Sequence, residues 1–132
     1  MSLYLKVGIG AGRYLLDAGG VLEIRSADAR EHRRGEGGPV VDCRDLFDEP
    51  AGARGDGVLI GEEDGVTTEL IVDRVEGLVE IADAELRPVP PIGLLGQLID
   101  AISVLADEPP MLRLRAEQMR ATAAALGCGA ER

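Results

Sequence analysis

The sequence predicts an all-β fold, two small barrels packed together with one short helix near the C-terminus. Short apolar or alternating runs recur at regular spacing between glycine-, proline- and aspartate-rich turns, which is the pattern of strands rather than helices. Only the segment beyond Ala116 carries a helical period. The chain also contains two similar units, so its core is built twice. At 132 residues it has room for one domain with a real core, or for two very small lobes that share one.

The first element is the run Leu3, Leu5, Val7 and Ile9, alternating with Tyr4, Lys6 and Gly8. This period of two predicts a strand with one buried face. It leads into "KVGIGAGRYLLD", in which Gly8, Gly10 and Gly12 resemble a phosphate-binding loop. Such a loop must feed a helix whose N–H groups face the anion. Here the apolar, strand-like "RYLLD" follows, Arg13 stands where the dinucleotide pattern wants glycine, and Gly-Lys-Ser/Thr is absent. The stretch is therefore expected to be a β-hairpin turning at Gly10 to Gly12 and to bind no nucleotide.

A second hairpin, "GVLIG", "EEDG" and "VTTELIVD", opens the second unit. "YLLDAGGVLEI" (Tyr14 to Ile24) then parallels "LIVDRVEGLVEI" (Leu70 to Ile81), and "PVVDCRDLF" (Pro39 to Phe47) parallels "PMLRLRAEQM" (Pro110 to Met119). Asp17 and Asp73 are expected to end strands by accepting turn hydrogen bonds. Pro39 lies 22 positions after Asp17, whereas Pro110 lies 37 after Asp73, so the first unit is 15 residues shorter. The second unit spends that length on "ADAELRPVPPIG" and on a strand over Leu98 to Leu105, expected to pair with Met111 to Arg115. The first has "RSADAREHRRGEGG" (Arg25 to Gly38), too polar for a strand with a buried face. The first lobe is thus expected to be open beside Val40 to Cys43, crossed by a loop or a short, weakly paired strand. "DEPAGARGDG" (Asp48 to Gly57) divides the halves. Met119, Ala123 and Leu126 share one helical face, with Gly127 as C-cap.

Composition excludes several functions. The formal charge is −10, from 24 acidic against 14 basic residues, which repels nucleic acid and anionic membranes alike. Aromatics make up 2% of the chain, too few for a base-stacking surface. No apolar run approaches bilayer length and no signal core is present, so a soluble, cytoplasmic protein is expected. Cys43 and Cys128 are far apart and read as free thiols. His32, the single histidine, lies in a charged run and is expected to be a solvated loop residue. An enzyme would have to use Asp42, Asp73 and Glu76, with no histidine beside a nucleophile; a small hydrolase using Asp42 and Asp73 is a remote alternative. No cofactor or metal is expected.

At "VLEIR" (Val21 to Arg25), "RGEGGPVVDCRDLF" (Arg34 to Phe47) and "IVDRVEGLVEIADAELRPVPP" (Ile71 to Pro91) the sequence resembles the CheW family of chemotaxis coupling proteins. The resemblance spans most of residues 3 to 119. It implies two intertwined, five-stranded SH3-like barrels, with the first incomplete here, and a CheW-like domain over residues 1–118. Within it the first lobe comes mainly from the N-terminal half and the second mainly from 57–115, with strands exchanged; 119–132 form a C-terminal helix and tail. It further implies a non-catalytic adaptor that couples the regulatory domain of a CheA-type histidine kinase to the cytoplasmic tip of a chemoreceptor.

The partner-binding residues implied by the resemblance are Val21, Glu23, Arg34, Arg74 and Glu76. Val21 and Glu23 match positions near the kinase and receptor contacts, and Arg34, before Gly35, matches an arginine that engages the receptor. The chain departs from the family at His32 and Arg33, where an asparagine and an apolar residue are usual, and it lacks the preceding proline-rich segment. A receptor-independent regulator in another kinase pathway is therefore the alternative reading. An open first-lobe edge would also serve a homodimer.

Overall fold

In the computed structural model, which describes residues 1–32, 39–47, 55–61 and 65–126, the glycine-rich stretch is the turn of a β-hairpin. β1 (Ser2–Ile9) and β2 (Gly12–Asp17) pair antiparallel from Tyr4 opposite Asp17 to Ile9 opposite Gly12. Gly10 turns the chain with a φ of 59°, a conformation that side chains with a Cβ resist. A single 3-10 turn (Ala18–Gly20) follows, capped by Asp17, whose carboxylate accepts the Gly19 N–H at 2.9 Å. The chain then runs through β3 (Val21–Arg25), α1 (Ala27–His32), β4 (Val40–Asp42), α2 (Cys43–Leu46), β5 (Asp56–Gly61), β6 (Thr67–Val72) and β7 (Arg74–Ile81). After a second 3-10 turn come β8 (Leu86–Pro88), α3 (Gly93–Leu98), β9 (Ile99–Ser103), β10 (Leu112–Leu114) and α4 (Ala116–Leu126).

The strands form a six-stranded sheet, β7-β1-β2-β10-β9-β8, and a four-stranded sheet, β3-β5-β6-β4. Each sheet joins the hairpin of one unit to later strands of the other. β7 pairs antiparallel with β1 as β3 does with β5, and β10 lies parallel to β2 as β4 does to β6. The two units thus exchange strands, and the matched aspartates mark the places where the chain changes sheet. Asp17 leaves β2 for β3 in the other sheet, and Asp73 is the one residue between β6 and β7.

The 15-residue difference has a direct structural meaning. β9 pairs antiparallel with β10, Leu112 opposite Ile102, and β8 continues the sheet beyond it. Among the described residues β4 pairs with β6 alone, so the four-stranded sheet ends where β9 would begin. Among the described residues the sheets have six and four strands, in keeping with a first lobe that is incomplete. The expected loop or weak strand over Arg25 to Gly38 is corrected. Its residues 27–32 form α1, because the polar run can satisfy its own backbone in a helix that no sheet edge needs to complete. His32 therefore ends a helix, not a loop; residues 33–38 lie outside the described part of the chain. Ser26 receives the Ala29 N–H, and Arg30 reaches across to Glu69 of β6 at 3.4 Å while donating to the Gly55 carbonyl at 2.9 Å.

One apolar core serves both sheets. Leu5, Val7, Ile9 and Leu16 from the hairpin meet Val41, Val58, Ile60, Leu70 and Val72 from the four-stranded sheet, with Leu114 and Met119 closing one end. A second cluster of Tyr4, Leu15, Ile81 and Met111 fills the other face of the six-stranded sheet. β1 is thereby buried on both faces, with Tyr4 on one and Leu5 on the other, although Leu3, expected in the buried row, is 44% exposed at its outer end. Two further details depart from expectation. "GLLGQL" is the helix α3, so the following strand begins at Ile99 rather than Leu98. Cys43 opens α2 instead of ending a strand, since Asp42 caps that helix through the Arg44 N–H at 3.0 Å. The helix α4 begins at Ala116, as the helical period predicted, and its Met119 is fully buried in the shared core.

A six-residue helix is marginal by itself, whereas β9 is hydrogen-bonded on both sides. The Arg30 amide, bonded to Ser26 O at 3.0 Å, is expected to exchange with solvent at least about 100-fold faster than the Ile102 amide. Equal protection of the two would show that the first lobe is as firmly closed as the second.

Candidate functional site

Three residues of the six-stranded sheet lie directly opposite one another on adjacent strands: Arg74 on β7, Gly8 on β1 and Arg13 on β2. Directly opposed residues share a face. Gly8, at the centre, offers no side chain, and a Cβ there would collide with the Arg74 guanidinium. Both arginines can therefore lean over the middle strand. Glu76, at the bulge of β7 between Val75 and Gly77, receives Arg13 Nε on Oε1 at 2.9 Å and Arg74 Nε on Oε2 at 2.7 Å. Arg74 Nη1 also donates to the Gly10 carbonyl at 3.3 Å, fixing the guanidinium against the hairpin turn. The hydrogen bond from Arg13, and then that from Arg74, hold the Glu76 carboxyl below the usual carboxylate range against the opposing effect of desolvation. Both arginine side chains remain 44% exposed.

The structure thus brings Arg74 and Glu76 together and adds Arg13, which the sequence reading did not single out. The hairpin register would have found it, since a turn at Gly10 and Ala11 sets Arg13 opposite Gly8. Val21 and Glu23 lie elsewhere, on β3 in the four-stranded sheet. Val21 is half-buried against the shared core, while Glu23 is bonded to Arg25 at 3.2 Å. The pairing of β3 with β5 shifts register between Val21 and Glu23, while exposure along β3 still alternates. Leu22 and Ile24 are left 62% and 48% exposed on this edge strand. Arg34 lies outside the described residues.

The carboxylates considered for hydrolysis have structural partners. Asp42 takes Arg44 Nε and Nη2 on its two oxygens, each at 2.9 Å, a paired geometry that suits guanidinium and carboxylate. Asp73 accepts Arg44 Nη1 at 3.4 Å on one oxygen and the Gly10 N–H on the other. Cys43 is fully buried beside them, and burial pushes its thiol far above the ordinary range, so it stays protonated. Among the described residues, no group of three or more His, Cys, Asp or Glu side chains is placed to hold a metal ion, and no helix is long and apolar enough to cross a membrane.

No protein-family model and no curated protein matches the chain. Among solved structures it is similar to the scaffolding protein TtCheW from Thermoanaerobacter tengcongensis, with a TM-score of 0.68 and 18% sequence identity over 86% of this chain and 88% of that one. The fold is all-β and CheW-like, in agreement with the resemblance read from the sequence.

The depressed Glu76 carboxyl makes a prediction with a defined sign. A group whose folded pKa lies below its unfolded value, about 4.3 for glutamate, contributes stability at higher pH that is lost as pH falls through the folded value. Glu76→Gln should therefore lower stability at pH 7, by no more than about 1 kcal/mol for so exposed a cluster. The difference from the unsubstituted protein should shrink below about pH 4. Melting curves of both proteins from pH 7 to 3 check this; a gap independent of pH would mean that the carboxylate charge does not matter.

Proposed function

We propose that this chain is a non-catalytic adaptor of chemotaxis-type signal transduction, acting in the cytoplasm to couple the regulatory domain of a CheA-type histidine kinase to a chemoreceptor tip. The likeness to a scaffolding protein supports the reading at the level of fold. The observation that carries it is the edge strand β3, where Leu22 and Ile24 stay exposed on a chain of net charge −10. An edge strand with apolar side chains offers backbone groups and a dry surface to a partner, and an unguarded edge is otherwise an association hazard. Val21 and Glu23 stand on the same strand, and Arg74 and Glu76 provide a polar surface on the other sheet. Arg34 enters the proposal on the sequence resemblance alone, as a receptor contact, and residues 1–118 are its CheW-like unit.

A second reading, a regulator that binds the kinase without the receptor, is favoured by the first lobe, where among the described residues α1 occupies the interval that holds β8 and β9 in the other unit. A homodimer through the β4 edge belongs to either reading.

Binding to a kinase regulatory domain and to receptor-tip fragments should be measured in parallel. Leu22→Ser together with Ile24→Ser should leave the melting temperature nearly unchanged, as both side chains are exposed, and weaken kinase binding at least about tenfold. Arg34→Glu should weaken receptor binding alone. Kinase binding without receptor binding favours the second reading, and binding to neither removes the adaptor role.

A further inference from the structure

The glycine-rich hairpin leaves unused donors behind. Arg13 spends Nε on Glu76, and Arg74 spends Nε on Glu76 and Nη1 on Gly10. Among the described residues the Arg13 Nη groups and Arg74 Nη2 have no protein partner, on side chains 44% exposed. Among Arg13, Arg74 and Glu76 alone, two guanidinium groups around one carboxylate leave a charge of +1. We propose that this Arg74–Gly8–Arg13 row, spaced and held by Glu76, is a docking site for a carboxylate side chain of an acidic segment on a partner protein.

The charge balance selects the ligand. Glu76 has already neutralised one of the two arginines, so a singly charged carboxylate completes the neutralisation. A phosphate dianion would leave excess negative charge on a chain whose net charge is already −10. The geometry selects it too, because guanidinium donors in a plane match the two oxygens of a carboxylate. The site is preorganised by the absent side chain at Gly8, by the Gly10 carbonyl and by Glu76, which acts as a positioning residue and not as a ligand contact. Less side-chain entropy is then lost when a partner docks. A small positive site on an acidic molecule also orients an approaching acidic segment toward one face.

The inference deepens the reading of Arg74 and Glu76 as partner-facing and rests on it, but it does not require that the partner be a kinase. The test uses the full chain and a hexaglutamate peptide at low ionic strength, following the arginine Nε–H resonances by NMR. Saturable shifts at Arg13 and Arg74 are expected. Arg13→Gln should weaken binding at least about fivefold, since exposed complementary charges tune association. Gly8→Ala, which keeps every charge but evicts the Arg74 guanidinium, should do the same with little change in melting temperature. Binding that persists in both variants, the absence of saturable shifts in the unsubstituted protein, or tighter binding of a phosphoserine hexapeptide would overturn the proposal. Hexaglutamate binding that survives alongside a failed kinase assay supports the site while rejecting the kinase as its partner.

Discussion

The buried guanidinium of Arg44 is the point on which the two halves of this molecule meet. It is 5% exposed, grips Asp42 at the start of its own helix, and reaches Asp73, the residue where the chain passes from the four-stranded to the six-stranded sheet. Asp73 in turn receives the N–H of Gly10 at the tip of the N-terminal hairpin. Three segments far apart in sequence are tied by one cation and two anions. A buried charge is tolerable only when it is paired and hydrogen-bonded, and this one is. Tyr14 of the hairpin packs on Phe47 behind α2, with ring centroids 4.9 Å apart, so an apolar contact reinforces the same junction.

Strand exchange makes that junction necessary. Each unit contributes its hairpin to one sheet and its later strands to the other, so neither sheet is made by a continuous piece of chain. The shared core draws on both, and folding one lobe fixes the hairpin that the other needs. The docking surfaces follow from this arrangement. Among the described residues β4 is an edge because the shorter first unit has no counterparts of β8 and β9, β3 is the opposite edge as β7 is in the other sheet, and the arginine row exists because β7 from the second unit is laid beside β1 from the first. Surface and scaffold are consequences of the same crossing.

Much of the fold was legible in the residues. The two hairpins, the repeat, the matched aspartates and the pairing of the last two strands follow from alternation and turn chemistry. The 15-residue difference between units was enough to foresee that, among the described residues, the sheet ends beside β4. What was not legible depended on tertiary placement. "REH" within α1 and "GLLGQL" in α3 are too short for a period to show, and a six-residue helix is decided by what it packs against. Leu22 and Ile24 share the outward face of β3, and their exposure follows from the place of that strand at a sheet edge, which the sequence does not show. For the candidate site, Arg74 and Glu76 came from resemblance, while Arg13 needed the cross-strand register. The pairing of Arg44 with Asp73 is 29 positions apart and has no local signature.

A double-mutant cycle on Arg44 and Asp73 measures that tie. Urea unfolding of Arg44→Met, Asp73→Asn and the double variant separates their coupling from the cost of each change. Arg44→Met alone should cost about 1–3 kcal/mol, because it leaves two half-buried carboxylates without their guanidinium. If one ion pair joins the two sheets, the coupling energy should exceed about 0.5 kcal/mol, with the double variant less destabilised than the sum of the singles. Strict additivity would contradict the account, showing that the sheets are held together by the apolar core alone.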